Sequence, residues 1–234
     1  MRHTPTGYRG YHFGEAVALT ARQRDVLIAA FQHSAGAPQE ILGGRQSVER
    51  IELPGVGPVV VKQYIRGGVI RHFNRQTHLK WGAPRCAREM NWLQKVHELN
   101  VCAPAPVAWA ASGGRLLYRC WLVTRTIPET QSLAQVSLQN LDRTAAVFPE
   151  ISRQLTILIK NRIHHKDLHP GNILIDDHDR AFFLDFDKAA RHHGSGPKLA
   201  ATYLRRWRRA VAKYGLPSEL DRYMTEDLNG RWQP

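Results

Sequence analysis

The sequence predicts an α+β fold in two parts, a small β-rich N-terminal part and a mainly helical C-terminal part. β-branched runs bounded by glycine and proline, such as "PVVVKQY" at 58–64, predict strands in the first part. Apolar residues at helical spacing, as in "PEISRQLTILIKNRIHH" at 149–165, predict helices in the second part. A length of 234 residues suits one large domain or two closely joined parts.

Two strands and a helix are predicted before residue 100. "QSVERIEL" at 46–53 alternates weakly, and the turn "PGVG" separates it from the strand at 58–64. "PRCAREMNWLQKVHEL" at 84–99 predicts a helix with Pro84 near its first turn, a position where proline is tolerated. The first part is therefore a small sheet that carries one helix.

A hairpin and the boundary between the two parts follow. The segment 103–127 predicts two strands, with a turn at Ser112, Gly113 and Gly114. Pro128 then interrupts the pattern. We therefore expect the first part to span residues 1–126 and the second to span 127–234.

The second part is predicted to hold helices around a short hairpin. Its first helix carries one apolar stripe, formed by Ile151, Leu155, Leu158 and Ile159. "NILI" and "AFFLDF" are short apolar strands separated by the turn "DDHDR". "KLAATYLRRWRRAVAKYG" at 198–215 and "SELDRYMTEDL" at 218–228 predict two further helices. The loop that contains Asp167 thus lies between the first helix and the hairpin.

The composition narrows the class of partner and the compartment. The net charge is +13 and the pI is near 10.2, which favours an acidic partner: nucleic acid, an anionic membrane surface or a polyanionic substrate. No apolar run approaches the length that spans a bilayer, and the start lacks a stretch of signal-peptide type, so a cytosolic protein is expected. Cys86, Cys102 and Cys120 form no CxxC pair, which fits reduced thiols.

Two polar motifs lie next to the predicted hairpin. The first, "HHKDLHPGNILID" at 164–176, contains Asp167 and, five residues later, Asn172. The second, "FFLDFD" at 182–187, contains Asp185 at the end of the second strand of the hairpin. Phosphoryl transfer needs one carboxylate that orients the attacking hydroxyl, and an amide oxygen and a second carboxylate that hold Mg²⁺ on nucleotide phosphates. Pro170 and Gly171 bend the loop so that Asp167 and Asn172 can face one point. The spacing therefore predicts a kinase-type site.

The chain resembles the protein-kinase-like superfamily through these two motifs and the strand lysine in "VVVKQY". With the segment "RGGVIRHFNRQTHLKWGAPRCARE" at 66–89 added, the chain most resembles the lipopolysaccharide core kinases. Within that group it is most similar to the 3-deoxy-D-manno-octulosonic acid (Kdo) kinases. The resemblance covers about residues 40–210. It implies a two-lobed protein-kinase-like fold, with a small β-rich N-lobe, a mainly helical C-lobe and an active-site cleft between them.

The resemblance also implies residue roles. Asp167 would be the catalytic base, Asn172 and Asp185 the Mg²⁺ ligands, and Lys62 a contact of the α- and β-phosphates of ATP that pairs with Glu89. Gly43 and Gly44, in "LGGRQSVERIELPG", would be the remnant of a glycine-rich phosphate loop. The residues alone leave another interpretation of the pair open: Lys62 could snorkel from the sheet, and Glu89 could simply be favoured near a helix start.

The acceptor is predicted to be a small molecule or a glycolipid. No long activation segment ending in A-P-E follows "DFDKAA", which argues against a protein kinase switched by phosphorylation. The resemblance implies ATP-dependent phosphorylation of a sugar hydroxyl of the lipopolysaccharide inner core, most simply the 4-hydroxyl of Kdo on a lipid A precursor. A kinase for core heptose or for another small hydroxyl acceptor, such as an aminoglycoside-like compound, is the enzymatic alternative.

A non-enzymatic alternative is a basic pseudokinase that binds membrane or nucleic acid. Such a scaffold should have lost at least one of Lys62, Asp167, Asn172 and Asp185, and all four are present. The histidines near Asp167 suggest a further alternative, a zinc site made by His164, His165, Asp167 and His169. That site would leave the spacing of Asn172 and Asp185 unexplained, and His169 is instead expected to support the loop by hydrogen bonds.

The basic residues predict the partners. Six cations in and after the linker behind Lys62 are expected to form a wall that holds an anionic acceptor: Arg66, Arg71, Arg75, Lys80, Arg85 and Arg88. The helix at 198–215 separates an apolar face from six cations, which are expected to face the anionic inner membrane. We therefore expect a Kdo–lipid A precursor and that membrane surface as partners, no nucleic acid, and a peripheral position on the cytoplasmic side.

Overall fold

The computed structural model describes residues 5–33, 39–41, 44–64, 78–79, 82–114 and 117–232. The chain forms two compact units. The first unit comprises Met1–Gln94 and Ala105–Thr126, and the second comprises Lys95–Pro104 and Ile127–Pro234. The segment Lys95–Pro104, which the sequence-based division gave to the first part, thus falls in the second unit.

The first unit is built on an antiparallel sheet with two helices. Its elements are β1 (Thr6–Tyr8), β2 (Tyr11–Glu15), α1 (Ala21–His33), β3 (Gln39–Ile41), β4 (Gly44–Leu53), β5 (Gly57–Gln63), β6 (His78–Leu79), α2 (Arg85–Glu98, whose last residues belong to the second unit), β7 (Pro106–Gly113) and β8 (Leu117–Arg125). Within the described residues the strand order is β1-β2-β7-β8-β5-β4-β3, with β6 also paired to β8. The buried apolar core of this unit draws on the central strands β7, β8 and β5 and also on β2, β4 and α1.

The N-terminal segment completes the sheet and its core. β2 pairs with β7 in antiparallel register, from Tyr11 opposite Ser112 to Glu15 opposite Ala108. At Gly14 the backbone runs so close to Trp109 that a Cβ would lie 2.1 Å from the indole nitrogen, so only glycine fits there. Helix α1 begins at a reciprocal cap: the Gln23 amide nitrogen of the backbone donates to Thr20 Oγ1, and the Thr20 backbone donates to Gln23 Oε1.

α1 packs on the sheet through aromatic and aliphatic side chains. Phe31 stacks on Trp121 of β8, with ring centroids 4.8 Å apart, and Leu27 is fully buried beside them. Burial of side chains of this size stabilises a fold by about 1.5–3 kcal/mol each. No element was predicted before residue 46, although the 13-residue helix α1 lies there. The short strands β1 and β2 have little periodicity of their own, and they join the sheet through the pairing of β2 with β7.

The second unit is mainly helical. Its elements are β9 (Gln131–Ser132), α3 (Leu133–Gln139), α4 (Leu141–Lys160), β10 (Ile163–His164), a 3₁₀ turn (Pro170–Asn172), β11 (Ile173–Ile175), β12 (Ala181–Phe183), a second 3₁₀ turn (Phe186–Lys188), β13 (Ala190–Arg191), α5 (Gly196–Lys213) and α6 (Glu219–Arg231). β11 and β12 form the predicted hairpin, with Ile173 opposite Phe183. β10 pairs with β13, and β9 pairs with β11.

Helix α4 is longer than the sequence pattern predicted. The expected stripe of Ile151, Leu155, Leu158 and Ile159 is fully buried. The helix nevertheless starts at Leu141 rather than near Pro149, with the Asn140 side chain accepting a hydrogen bond from the Arg143 N–H. Val147 and Phe148 extend the buried stripe toward the N-terminus. Burial of that face therefore outweighs the cost of a proline inside the helix.

Two hydrogen bonds of Cys102 explain why Lys95–Pro104 belongs to the second unit. The Cys102 N–H donates to Gln154 Oε1 at 2.7 Å, and the Phe183 N–H donates to the Cys102 carbonyl at 2.9 Å. Gln154 Nε2 also donates to the Ala181 carbonyl at 2.8 Å. Gln154 is fully buried, so these bonds satisfy a polar group that would otherwise be costly inside the core.

The predicted α+β class is confirmed, with a β-rich N-terminal unit and a mainly helical C-terminal unit. The predicted hairpin turn was placed slightly too early, because Ser112 and Gly113 still belong to β7 and Gly113 pairs with Tyr118. Cys86, Cys102 and Cys120 form no disulfide among the described residues. Among the described residues, no helix combines the length and the apolar character that crossing a membrane requires.

Candidate active site

Lys62 and Glu89 form a buried ion pair in the first unit. Lys62 lies on β5 between Val48 of β4 and Leu122 of β8, and Glu89 lies in the second turn of α2. Lys62 Nζ is 2.9 Å from Glu89 Oε2 and 3.1 Å from Glu89 Oε1. The side chains are 12% and 3% exposed, so the lysine does not snorkel into solvent. The Glu89 carboxylate, held on α2, therefore fixes the position of the Lys62 ammonium group.

Tyr64 is a further partner of Glu89 that the sequence analysis did not assign. Its hydroxyl donates to Glu89 Oε2, and its ring lies beneath two cations, with Lys62 Nζ 5.1 Å and Arg85 Cζ 5.2 Å from the ring centroid. Tyr64 stands two residues after Lys62, so alternation along the extended chain places both side chains on one face. That spacing was the available signal. The buried carboxylate therefore has both a cation and a neutral donor.

The two glycines of the predicted phosphate loop are only partly described. Gly44 begins β4 and pairs with Ile41 of β3, whereas Gly43 lies outside the described residues. Of the predicted basic wall, Arg66, Arg71, Arg75 and Lys80 also lie outside them. Arg85 and Arg88 belong to α2. Roles for these residues in binding phosphate or acceptor stay predictions.

The loop that carries Asp167 is anchored by a buried tyrosine and a buried histidine. The His165 N–H donates to the Tyr203 hydroxyl at 2.8 Å, and that hydroxyl donates to the Ile163 carbonyl at 2.8 Å. His165 Nε2 lies 2.7 Å from the Leu184 carbonyl, and its ring packs edge-on against Phe186 at 4.5 Å between centroids. The entry to the loop is thereby joined to the strand end that precedes Asp185.

Asn172 and Asp185 are joined through the backbone and through Asp167. Asn172 Nδ2 donates to the Asp167 carbonyl at 2.8 Å, which leaves the amide oxygen as the free end of that side chain. The Leu184 N–H donates to the Asn172 carbonyl at 2.9 Å, so Asp185 follows directly on this contact. Asp185 has φ +62° and ψ +64°, a left-handed conformation that is uncommon outside glycine. Such strain is typical of functional positions.

Both histidines of the loop are held as neutral supports. Burial lowers the pKa of His165, although the Asp185 and Asp167 carboxylates oppose this, and burial likewise lowers the pKa of His169. His169 Nδ1 accepts the Gly171 N–H at 3.1 Å, which confirms the expected loop support. Because His165 is engaged by Leu184 and His169 by Gly171, the zinc alternative gains no support. Within the described residues, no group of three or more His, Cys, Asp and Glu is arranged to hold a metal ion.

Asp176 begins the turn "DDHDR" that was predicted between the two hairpin strands. Its carboxylate accepts hydrogen bonds from the N–H groups of His178 and Arg180 and from the Arg180 guanidinium. Burial alone would raise the pKa of Asp176, but these hydrogen bonds outweigh burial and lower it. Asp176 therefore closes the turn between β11 and β12.

Two cations approach the carboxylate of Asp167. Lys188 Nζ, in the second 3₁₀ turn, lies 2.7 Å from Asp167 Oδ2. Arg206 of α5 places NH1 3.9 Å from Asp167 Oδ1 and also donates to the Lys166 carbonyl. Sequence reasoning missed both contacts with Asp167, because Lys188 lies 21 residues and Arg206 lies 39 residues further along the chain.

The cations of α5 differ in their surroundings. The predicted apolar face is buried at Leu199, Tyr203, Trp207 and Val211, as the amphipathic pattern required. On the opposite face, Arg206 contacts the loop as above, and Arg208 binds Asp221 Oδ1 at 3.0 Å and Thr225 Oγ1 at 3.0 Å on α6. Two of the six cations of α5 are therefore paired with acids and carbonyl groups of other elements, although α5 itself contains no acid.

Comparison with known proteins identifies a family. The model of the lipopolysaccharide kinase (Kdo/WaaP) family matches residues 39–219. Similar curated proteins are 3-deoxy-D-manno-octulosonic acid kinases: that of Vibrio parahaemolyticus is 30% identical over 141 residues, 59% of each chain. That of Vibrio vulnificus is 28% identical over 157 residues, 66% of each chain. That of Stenotrophomonas maltophilia is 27% identical over 170 residues, 71% of this chain and 67% of that protein.

These matches span only part of the relatives. The alignments with the two Vibrio proteins cover 59% and 66% of their lengths. Among solved structures, a MAP kinase from Leishmania major is 18% identical in sequence. Its superposition covers 89% of this chain and 66% of that one, with a TM-score of 0.49.

Proposed function

Because the chain belongs to the lipopolysaccharide kinase (Kdo/WaaP) family, we propose that it is an ATP-dependent kinase of the lipopolysaccharide inner core. Its acceptor is a sugar hydroxyl, most simply the 4-hydroxyl of Kdo on a lipid A precursor. Similar curated proteins are named 3-deoxy-D-manno-octulosonic acid kinases, which supports Kdo over core heptose. The presence of Lys62, Asp167, Asn172 and Asp185 supports an active enzyme over a pseudokinase.

The observation that carries this proposal is the junction of Asp167, Asn172 and Asp185. One side-chain bond from Asn172 to the Asp167 carbonyl and one backbone bond from Leu184 to Asn172 hold the three residues in one loop and hairpin. A kinase requires a carboxylate for the acceptor and two oxygen ligands for the metal from a single rigid element. The hairpin strands behind them are buried at Ile173, Ile175 and Phe183, which keeps that element rigid.

The residues present fit Mg²⁺ and ATP. Asn172 and Asp185 would hold Mg²⁺ through an amide oxygen and a carboxylate, hard ligands that suit an ion bound largely through phosphates. The donor geometry at Asn172 fits this role, because its Nδ2 is engaged by the Asp167 carbonyl. The bound metal would neutralise charge on the phosphates and orient them. Lys62, aimed by Glu89 and Tyr64, would contact the α- and β-phosphates, and backbone N–H groups near Gly43 and Gly44 would lie along them.

Asp167 would act on the acceptor. Its carboxylate would accept the hydrogen bond of the attacking hydroxyl and orient the oxygen. It would take the proton as the new bond to the γ-phosphorus forms and the bond from that phosphorus to ADP breaks. His165 and Tyr203 fix the loop backbone, so the carboxylate is oriented before the acceptor arrives. Asp167 thus supplies orientation and proton transfer. Lys62, and the Mg²⁺ that Asn172 and Asp185 would hold, would neutralise the charge of the phosphates.

The decisive experiment is transfer of labelled phosphate from ATP in the presence of Mg²⁺. The acceptors are lipid A precursors that carry Kdo, lipid A precursors that carry Kdo and heptose, and an aminoglycoside. We expect labelling of the Kdo-bearing precursor, at the 4-hydroxyl by NMR of the product, and none with Asp185→Ala. Labelling only of heptose or of the aminoglycoside would replace the proposed acceptor, and labelling of no acceptor would reject the kinase.

The proposal includes peripheral binding to the anionic inner membrane from the cytoplasmic side. The cations that would face lipid are Lys198, Arg205 and Arg209, which are exposed on α5. Each cation near an anionic surface contributes about 1 kcal/mol, and salt screens this contribution. Such binding would bring the site to a lipid-borne sugar. Arg206 and Arg208 are left out of this surface because they contact Asp167 and Asp221.

A pair of matched double variants tests the membrane surface. Arg205→Gln/Arg209→Gln should weaken binding to phosphatidylglycerol vesicles, measured by sedimentation at low salt. It should also reduce activity on the lipid-linked acceptor more than activity on a short water-soluble acceptor. Arg222→Gln/Arg231→Gln on α6 removes the same charge and should bind like the parent, because those cations pair with Glu226 and Asp227. Equal vesicle binding by both double variants would reject the membrane role of α5.

A further inference from the structure

We propose that Lys188 and Arg206 recognise a carboxylate of the acceptor sugar, so that the site selects acidic sugars. The inference rests on the proposed kinase function and names the acceptor class that the same site takes. It starts from two contacts: Lys188 Nζ lies 2.7 Å from Asp167 Oδ2, and Arg206 NH1 lies 3.9 Å from Asp167 Oδ1. The two cations come from separate elements, the 3₁₀ turn behind Asp185 and helix α5, and meet at one carboxylate.

Neither contact is needed to stabilise the fold. Lys188, Arg206 and Asp167 are 61%, 43% and 30% exposed in their side chains, and ion pairs this exposed contribute about 0–1 kcal/mol. A carboxylate at the surface is also well hydrated without a cation. The low strength of these pairs means that both cations can change partner at little cost. They are therefore poised for an anion that arrives with the acceptor.

The cations would be a disadvantage to Asp167 if they served it alone. Lys188 Nζ lies 2.7 Å from Asp167 Oδ2, so it competes with an acceptor hydroxyl for that oxygen. An acceptor with its own carboxylate removes this disadvantage, because that group draws Lys188 and Arg206 away as the hydroxyl reaches Asp167. The acceptor thereby exchanges one ion pair for another and frees Asp167 Oδ2 for the hydroxyl.

The position of the cations sets the chemistry of the acceptor. A hydroxyl bound to Asp167 lies beside both cations, so a carboxylate on the same sugar ring is within their reach. Arg206 is already anchored by the Lys166 carbonyl, so its guanidinium is oriented before binding. A neutral sugar gains no such contact, and an amino sugar is repelled. The site therefore separates acidic from neutral and cationic acceptors by charge.

The electrostatics of the loop agree with an anion site. Burial lowers the pKa of His164 to about 4, and the positive charges of Arg206 and Lys166 add to the effect. Burial also lowers the pKa of His169 against the opposing effect of the Asp167 and Asp185 carboxylates, and Lys213 adds a smaller lowering effect. Arg206, Lys166 and Lys213 thus place positive charge near the loop that carries Asp167.

The test compares two acceptors that differ in one group. One is the Kdo-bearing lipid A precursor, and the other carries the Kdo carboxylate as a neutral carboxamide. The variants are Lys188→Gln, Arg206→Gln and the double variant, with Lys160→Gln as the control, an exposed lysine at the end of α4. For the acid, the double variant should raise KM by about 10-fold or more, since charge-assisted hydrogen bonds are lost. For the carboxamide, KM should change less than about 2-fold, and the KM for ATP should stay constant.

A charge-keeping variant and a binding assay complete the test. Lys188→Arg should recover most of the affinity for the acid, and thermal unfolding should show that each variant folds like the parent. Equal losses on the acid and the carboxamide would overturn the proposal, because the cations would then act on the transferred phosphoryl group. An unchanged KM for the acid in the double variant would overturn it as well.

Failure of the proposed function is distinguished by titration calorimetry with free Kdo and its carboxamide. If the parent labels neither acceptor, the kinase assignment fails. A preference for the acid in calorimetry that the double variant loses would still support the anion site. Equal binding of acid and carboxamide by the parent would overturn it.

Discussion

Glu89 of the first unit and Asp167 of the second are both paired with lysine, but their surroundings differ. The Glu89 side chain is 3% exposed and meets Lys62 and Tyr64 inside the core, whereas Asp167 is 30% exposed and meets Lys188 and Arg206 at the surface. A buried carboxylate that loses its cation is left with an uncompensated charge, while an exposed one is solvated by water. The same type of ion pair therefore fixes geometry in the first unit and stays exchangeable in the second.

The largest expected effect is the loss of turnover on replacing Asp167, which should leave the stability of the protein nearly unchanged. Asp167→Ala should lower turnover by about 10²–10⁴-fold, the range for loss of a general base, with little change in ATP affinity. The free energy of unfolding should change by no more than about 0.5 kcal/mol, because the residue is exposed and its ion pairs are weak. Steady-state kinetics and urea unfolding measure the two quantities. Asp177→Ala, in the turn after β11, is the control.

Near-normal turnover in Asp167→Ala would show that Asp167 is not the catalytic base, and the proposed contrast with Glu89 would then be wrong. A large loss of stability would show that Asp167 is structural, like Glu89.

The next effect tests the buried pair. Lys62→Met should lower the free energy of unfolding by about 3 kcal/mol, because it leaves the Glu89 carboxylate without its cation. It should also raise the KM for ATP. The double variant Lys62→Met/Glu89→Met should regain stability without regaining activity, since a buried pair can be replaced by apolar side chains of similar volume. A single variant as stable as Lys160→Met would contradict the buried-pair argument.

Tyr64 should have a smaller effect of the same kind. Tyr64→Phe keeps the ring contacts with Lys62 and Arg85 but removes the hydroxyl that donates to Glu89. Loss of a donor to a buried charged group should cost about 1–3 kcal/mol of stability. Tyr223→Phe, which keeps its ring contact with Phe148, is the matched control. If both variants unfold at the same urea concentration, the Tyr64 hydroxyl contributes nothing to the pair.

The smallest effect concerns pH in the second unit. The pKa of His164 is lowered from its ordinary value of 6.5 to about 4, first by burial and then by nearby positive charges. Between these values the unfolded chain binds a proton that the folded chain does not, so stability rises with pH. The contribution of neutral His164 is complete above about pH 6.5 and is lost as the pH falls toward 4.

Urea unfolding between pH 4.5 and 7 measures this slope. His164→Phe keeps a ring beside His192 and Tyr203 and should make the slope shallower. Leu138→Phe, at an exposed position of α3, adds a ring without removing an ionisable group and should keep the parental slope. A parental slope in both variants would show that His164 does not titrate on unfolding in this range.

The positions of the two carboxylates were unequally predictable. The segments that carry Glu89 and Lys62 followed from the helix at 84–99 and the strand at 58–64, and their contact follows from the packing of α2 against the sheet. The segments that carry Asp167, Asn172 and Asp185 followed from the hairpin. The cations at Asp167 did not, because Lys188 and Arg206 reach it through a chain reversal that no local periodicity encodes.

The sequence by itself determined the local elements and the residue types of the candidate site. The buried stripe of α4, the two faces of α5 and the β11–β12 hairpin depend on spacing between near neighbours, which periodicity reports directly. Family membership agrees with the motifs that this spacing displays.

Only the tertiary structure decided which distant residues meet. β2 joins β7, with paired residues 93 to 101 positions apart, and Gln154 binds Cys102 and so places Lys95–Pro104 in the second unit. Arg206 and Arg208, which both belong to the predicted cationic face of α5, contact the Asp167 loop and α6 respectively. The physical reason is that a side chain's partner depends on burial and on the geometry of closure of the whole chain, and pairing over long separations leaves no periodic signal.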